Sequence, residues 1–236
     1  MSVFAQKGVG VMMLVAFDSI FEQCSLAVLV DGSVEYAETI SGAREQTQRI
    51  LPMLDKALKI MGAGVADVQA WAFNQGPGAF SGIRINTAVV QALSVASGAP
   101  CIGVSSLEAL AYQAHDEQNF ADNSRVVSLI DARQNQVYAG EFVICQRRVV
   151  PAKTHHECLL DYGCAVVADA VVAFNQAATQ IKTDAPTWRL TPNATHIARL
   201  AYQRFLQGQV VSAEAALPVY LRNNAWKTLA QQRANN

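Results

Sequence analysis

Asn74-Gln75-Gly76-Pro77-Gly78-Ala79-Phe80-Ser81-Gly82-Ile83-Arg84 is the stretch around which the chain is organised. An apolar run at 68–73 enters it and an Ala- and Val-rich run at 87–97 leaves it, so it reads as strand, glycine loop, helix. Gly76, Gly78 and Gly82 permit positive φ and close backbone approach, and Pro77 fixes one turn angle. The amides that open the following helix suit an anion. The competing reading is a loop that lets the helix cross closely over a sheet. A P-loop is excluded, because Ile83-Arg84 follows the last glycine where Lys and a hydroxyl belong. A Rossmann fingerprint is excluded by spacing, since Gly82 comes four residues after Gly78 instead of three.

Outward from the loop, 11–17, 24–30 and 33–40 read as strands, the last two joined by the Asp31-Gly32 hairpin signal. Ile50, Leu51, Leu54, Leu58 and Met61 recur at helical spacing over 44–61, and Pro52 predicts a kink or a later start. After the loop come a helix at 83–97 with Ser81 as its N-cap, a strand at 101–104, and a helix to 115 opened by a capping box from Ser105 to Glu108. Polar residues 116–124 form a connection. Strands follow at 125–130, 136–145 and 147–150. A short helix is expected at 154–160, a strand at 164–168, a helix or turn at 171–180, and a helix from the Asn193 cap to 207. The second half partly echoes the first: an apolar strand ends in Asp131 as the first ends in Asp18, and each is followed by a turn and a hairpin partner. The sum is a mixed α/β architecture with helices on the sheet faces.

Composition narrows the function. Hydrophobic residues make up 51% of the 236 and charged residues 16%, more apolar material than one exposed surface needs, which points to a covered face. A formal charge of −1 gives no footprint for independent nucleic-acid binding. Five cysteines without a Cys-x-x-Cys pair fit a reducing cytoplasmic setting. The apolar run at 9–17 is too short to span a membrane and lacks a cleavage site, so a buried first strand is expected, with residues before 11 poorly ordered. The four histidines include no pair one helical turn apart, so no metal is expected. Ser81 sits outside a G-x-S-x-G elbow, which argues against a hydrolase. The helix at 87–97 is apolar or small almost all round (Ala88, Val89, Val90, Ala92, Leu93, Val95, Ala96), as a helix buried on more than one side would be.

Residues 76–84 resemble the GPGSFTGLR motif of the TsaB (YeaZ) family, and residues 45–53 resemble its EHTQRLLPM helix. Residues 103–110, 131–133, 137–138 and 218–222 also fall at family positions, so the likeness spans about 13–226 and is weakest over 147–188. The resemblance implies two ribonuclease-H-like lobes of the actin/hexokinase/Hsp70 (ASKHA) superfamily, expected here at 11–115 and 125–215, with 216–236 packing back on the first. It implies a non-catalytic subunit without a cofactor. Such a subunit pairs with the catalytic TsaD, receives the ATPase TsaE, meets tRNA only through the complex, and self-associates as a homodimer when alone. The complex places threonylcarbamoyl on adenosine 37 of tRNAs reading codons that begin with A. The interface implied here is Gln46, Ile50, Met53, Leu54 and Ala57 on one helix, and Ile83, Arg84, Thr87, Ala88 and Gln91 on the next. A Leu54→Arg or an Ala88→Arg change is expected to break the pair without unfolding the chain.

The chain departs from the family where phosphate chemistry would sit. Ser19-Ile20 stands where Asp18 is usually followed by Thr, Gln46 replaces a His, Gln75 a frequent Arg, and Ala79 and Ser81 the usual Ser and Thr. Asp18, Gly76 and Gly78 are therefore weak nucleotide contacts, and the alternative function, a stand-alone ATP-hydrolysing or phosphotransfer enzyme, needs groups this turn lacks.

Overall fold

The computed structural model describes residues 11–42, 46–152 and 157–222. The amino-terminal extension, His155 and His156, and the stretch beyond Arg222 lie outside the described residues.

Two sheets carry the fold, and they share one topology. In the first, β1 (Met13–Asp18), β2 (Gln23–Val30) and β3 (Ser33–Ser41) form an antiparallel meander, and β4 (Ala70–Gly76) and β5 (Cys101–Ser105) add in parallel, in the order β3-β2-β1-β4-β5. In the second, β6 (Arg125–Arg133), β7 (Gln136–Cys145) and β8 (Arg148–Pro151) repeat the meander. β10 (Ala170–Ala173) and β11 (Thr187–Arg189) repeat the parallel pair, and β9 (Glu157–Asp161) lies antiparallel along β7. Strand for strand, β6-β7-β8-β10-β11 stands for β1-β2-β3-β4-β5. These are the two ribonuclease-H-like lobes of the ASKHA superfamily.

β1 and β2 are buried throughout, which is why they read as unbroken apolar runs. Met13, Val15 and Phe17 face one side, under α1 (Gln46–Met61) and α2 (Phe80–Ser97). Leu14 and Ala16 face the other side, under α4 (Ala194–Leu206). The period of two thus sorts one strand between two helical layers. Burial of a Leu, Ile or Met side chain contributes about 1.5–3 kcal/mol, and α1 buries Ile50, Met53, Leu54, Leu58 and Met61.

Helix α4 follows the second sheet in sequence but packs on the first. Its first amide, that of Ala194, donates to Ser25 Oγ at 2.9 Å, and Asn193 caps it as expected. Helix α3 (Ser106–Gln118) is shared between the lobes. Leu107, Leu110, Ala111 and Ala114 turn to the second sheet, while Ala109 joins the first core. Its capping box is half made: Ser105 accepts from Leu107 N, but Glu108 pairs with Arg204 of α4.

Other local readings are corrected. Ser81 lies in the first turn of α2 and Ala79 is the cap residue, because the helix starts earlier than 83. Residues 157–161 form β9, since pairing with β7 outweighs the local helical pattern. Residues 164–168 make only a single bridge, Ala165 to Lys182; of the helix or turn expected at 171–180, the start belongs to the strand Ala170–Ala173 and the end is a short 3-10 helix, Ala177–Gln180. Pro52 neither starts nor ends α1. It sits on the exposed face, where water can satisfy the carbonyl its ring leaves unpaired.

Candidate functional site

The two lobes meet at a cleft of about 870 Å³. Ile20, Phe21 and Glu22 form one wall with Gly78, Ala79 and Phe80, and the 130–133 turn, Phe174 and Gln176 form the other. The residues placed against this cleft decide what it can do.

Asp18 is fully buried behind Ile20 and does not line the cleft. Its Oδ1 accepts from Ile20 N at 2.9 Å, and its Oδ2 has no hydrogen-bond partner among the described residues. Burial pushes its pKa up from 3.8 to about 7, against the pull of the Ile20 amide. The turn is instead tied to the glycine loop. Ser19 Oγ lies 3.0 Å from the Gly82 carbonyl oxygen and 2.7 Å from Asn86 Oδ1, and Asn86 Nδ2 donates to Asn74 O at 3.0 Å. Asn74 Oδ1 accepts from Gly76 N and from Ser106 Oγ.

The glycines serve this crossing. A Cβ at Gly82 would fall 2.1 Å from Ser19 O, and one at Gly78 would fall 2.3 Å from Ile20 Cγ2. Gly76, with φ near +99°, is buried away from the cleft against Ile83 and Val219 O. Of the three weak nucleotide positions only Gly78 borders the cleft, and Ile20 covers the space beside it. The close-crossing reading of the loop accounts for all three glycines without a ligand.

The second lobe repeats the motif. Asp131 Oδ1 accepts from Arg133 N at 2.8 Å, as Asp18 does from Ile20, and additionally from Tyr162 Oη at 3.0 Å. The Arg133 guanidinium lies 3.3 Å from Asp131 Oδ2 at the surface. No group of three or more His, Cys, Asp or Glu side chains placed to hold a metal occurs among the described residues.

The second candidate surface is the outer face of α1 and α2, side by side on the first sheet. Here the residues implied by the resemblance divide. Ile50, Met53, Leu54, Ala57, Ile83 and Thr87 point inward and are buried in the chain's own packing. The Gln46 side chain lies outside the described residues. Arg84 and Ala88 are exposed and Gln91 is half-buried. Leu54 is 4% exposed, so Leu54→Arg would unfold the chain and cannot test an interface. The exposed stripe on α2 is Ala88, Ala92, Val95 and Ala96; Leu51 and Ile60 of α1 are also exposed, but nine residues apart they lie on opposite flanks of that helix. Val95 is 75% exposed, and Leu51 and Ile60 are each 53% exposed. Helical periodicity alone does not say which side of α1 faces the sheet; the sheet's position does, and it turns Ile50, Met53, Leu54 and Ala57 inward.

The comparisons with known proteins agree with this geometry. The family model described as TsaD: tRNA N6-adenosine threonylcarbamoyltransferase matches residues 40–157. Two proteins named tRNA threonylcarbamoyladenosine biosynthesis protein TsaB match more fully. That of Escherichia coli is 33% identical over 92% of this chain and 98% of its own length, and that of Haemophilus influenzae 33% identical over 92% and 96%. Among solved structures, YeaZ from Pseudomonas aeruginosa superposes with a TM-score of 0.79 at 34% identity, covering 89% of this chain and all of that one. With relatives of that identity aligned along nearly their whole length and the same fold in a solved member, the chain belongs to the TsaB (YeaZ) family.

Proposed function

We propose that this chain is a non-catalytic scaffold subunit in the biosynthesis of threonylcarbamoyladenosine. It pairs with a TsaD-type threonylcarbamoyltransferase that modifies adenosine 37 of tRNAs reading codons beginning with A. The carrying observation is the exposed stripe of small and apolar residues on α2, Ala88, Ala92, Val95 and Ala96. Small side chains at Ala88, Ala92 and Ala96 let a partner helix approach closely. Arg84, Ala88 and Gln91 remain in this interface; the inward residues of α1 and α2 support it only by holding the helices in place. The same face serves self-association when the partner is absent. TsaE docks on the assembled pair, and tRNA contacts come through the complex, in keeping with a net charge of −1. The setting is cytoplasmic; no described helix is long and apolar enough to cross a membrane.

The alternative, a stand-alone ATP-hydrolysing or phosphotransfer enzyme, draws on the cleft of about 870 Å³. Against it stand the burial of Asp18 behind Ile20 and the filling of the space beside Gly78. Two measurements separate them. The purified chain should hydrolyse ATP no faster than background, and mixed with TsaD it should run as one species with the mass of a pair. ATP turnover by the chain alone, with no pair formed, would reverse the assignment.

A further inference from the structure

Residues 216–222 belong to no helix or strand, yet they are fastened to both lobes. At the first lobe, Gln91 Nε2 of α2 donates to Ala216 O at 3.0 Å, and Val219 N donates to Gln75 O at 2.9 Å in the glycine loop. The Tyr220 ring packs on Phe80 at 5.6 Å between centroids, and its Oη lies 3.4 Å from Arg84 Nε. The Arg84 guanidinium in turn lies 3.7 Å from the centre of the Phe80 ring. At the second lobe, Arg222 Nη2 donates to the carbonyls of Ala132 and Arg133, both at 3.1 Å, and Nη1 donates to Gln134 Oε1. Leu221 packs with the buried cluster that joins the lobes. Phe80, Ala132 and Arg133 all line the cleft, so the segment crosses from one wall to the other.

We infer that residues 216–222 are a tether that sets the spacing of the two lobes across the cleft and couples it to the outer face of α2. The physical case is one of shared anchors. Arg84 and Gln91 lie on α2 beside the small-residue stripe, and each holds one end of the tether's first half. A shift of either must be taken up by a short segment whose other end is gripped by three acceptors on the 132–134 turn. Its bonds therefore break or hold together, which is the behaviour a coupled element requires. That turn is itself held by the Arg133 N to Asp131 Oδ1 bond, so loosening it exposes an amide that exchange can read.

The experiment is amide hydrogen exchange by mass spectrometry on the full chain, comparing wild type with Arg222→Met, Gln91→Ala and the double variant. Arg222→Met should speed exchange over 131–136 by about tenfold and also at Val219. Gln91→Ala should speed the same 131–136 segment, although Gln91 touches only the far end of the tether. The double variant should add nothing beyond Arg222→Met. Unchanged exchange at 131–136 in Gln91→Ala, or simple additivity, would overturn the coupling. Tyr220→Ala serves in place of Arg222→Met if that variant loses its fold, with the same expected and opposing results.

That a partner on α2 works this tether rests on the pairing proposed above. Saturating TsaD should slow exchange at 131–136 in the wild type but not in Arg222→Met. A complex confirmed by mass that leaves 131–136 unchanged would overturn transmission to the cleft, whereas failure to form any complex would count against the pairing reading and leave the isolated-chain result standing.

Discussion

Ile20 Cγ2 occupies the space that a side chain on Gly78 would need, 2.3 Å from where its Cβ would fall. Gly78→Ala therefore clashes with one methyl, at a φ of +156° that already disfavours a side chain. It should lower stability by about 1–3 kcal/mol. Ile20→Ala removes that methyl, so in urea denaturation the double variant should be less damaged than the two single losses added together, by about 1 kcal/mol. Strict additivity would show that the two residues do not share the space.

Gly82 makes a harder contact, with backbone instead of a side chain. A Cβ there would sit 2.1 Å from Ser19 O, and the Ser19-Ile20 turn cannot rotate away as a side chain could. Gly82→Ala should cost about 3 kcal/mol or more, the upper end for overpacking, even though alanine is the better helix former. A thermal melt in which Gly82→Ala equals or exceeds the wild type would remove the close crossing of α2 over β1 from the account.

Asp18 makes stability depend on pH. Its pKa is raised from 3.8 to about 7 by burial. Between those values the unfolded chain gives up the proton and the native chain keeps it, so stability falls as pH rises, by about 4 kcal/mol over the window. Above about 7 both states are ionised and the loss is complete. Asn at this position keeps the Oδ1 acceptor for Ile20 N and carries no charge. Asp18→Asn should thus be more stable than wild type at pH 8, with the gap closing toward pH 4. The difference between the two proteins isolates Asp18, because burial lowers the His196 pKa and makes that group titrate in the opposite sense. A gap that does not change with pH would rule out the buried acid.

Arg204 on α4 donates to Gly103 O at the edge of the first sheet and to Glu108 on α3. The Arg side chain is 25% exposed and that of Glu108 9%, so the pair is only partly screened. Arg204→Ala should cost about 1–3 kcal/mol, less than a fully buried pair because water reaches the guanidinium. Chemical denaturation of Arg204→Ala and Glu108→Gln, singly and together, checks it; losses that simply add would show that the two side chains do not act on each other.

The first lobe was readable because its elements are long and its strands carry unmistakable patterns. The runs at 11–17 and 24–30 are buried on both faces, and Asp31-Gly32 fixes the hairpin between β2 and β3. The second lobe's short strands were harder. β10 has four residues and β9 five, and stretches of that length fit a helix or a strand equally until their partners β6 and β7 are known. The seating of α4 on the first sheet was also hidden, since an amphipathic stripe says that a face is covered but not by what. Asp131 as the counterpart of Asp18 was visible from the end-of-strand pattern, and the matching side-chain bonds bear it out. The inward turn of Leu54 was not, because one apolar period served both the core and the supposed interface.

The most direct test of the scaffold reading places a charge in the exposed stripe. Ala88 is exposed on α2, and Arg there can reach water in the free chain but must lose it under a close-packed partner helix. Ala88→Arg should therefore melt within about 0.5 kcal/mol of the wild type. Its Kd for TsaD, measured by titration calorimetry and checked by the mass of the mixture, should rise by at least about tenfold, the cost of roughly 1.4 kcal/mol. A folded Ala88→Arg chain that binds TsaD with the wild-type Kd would contradict the account at its centre.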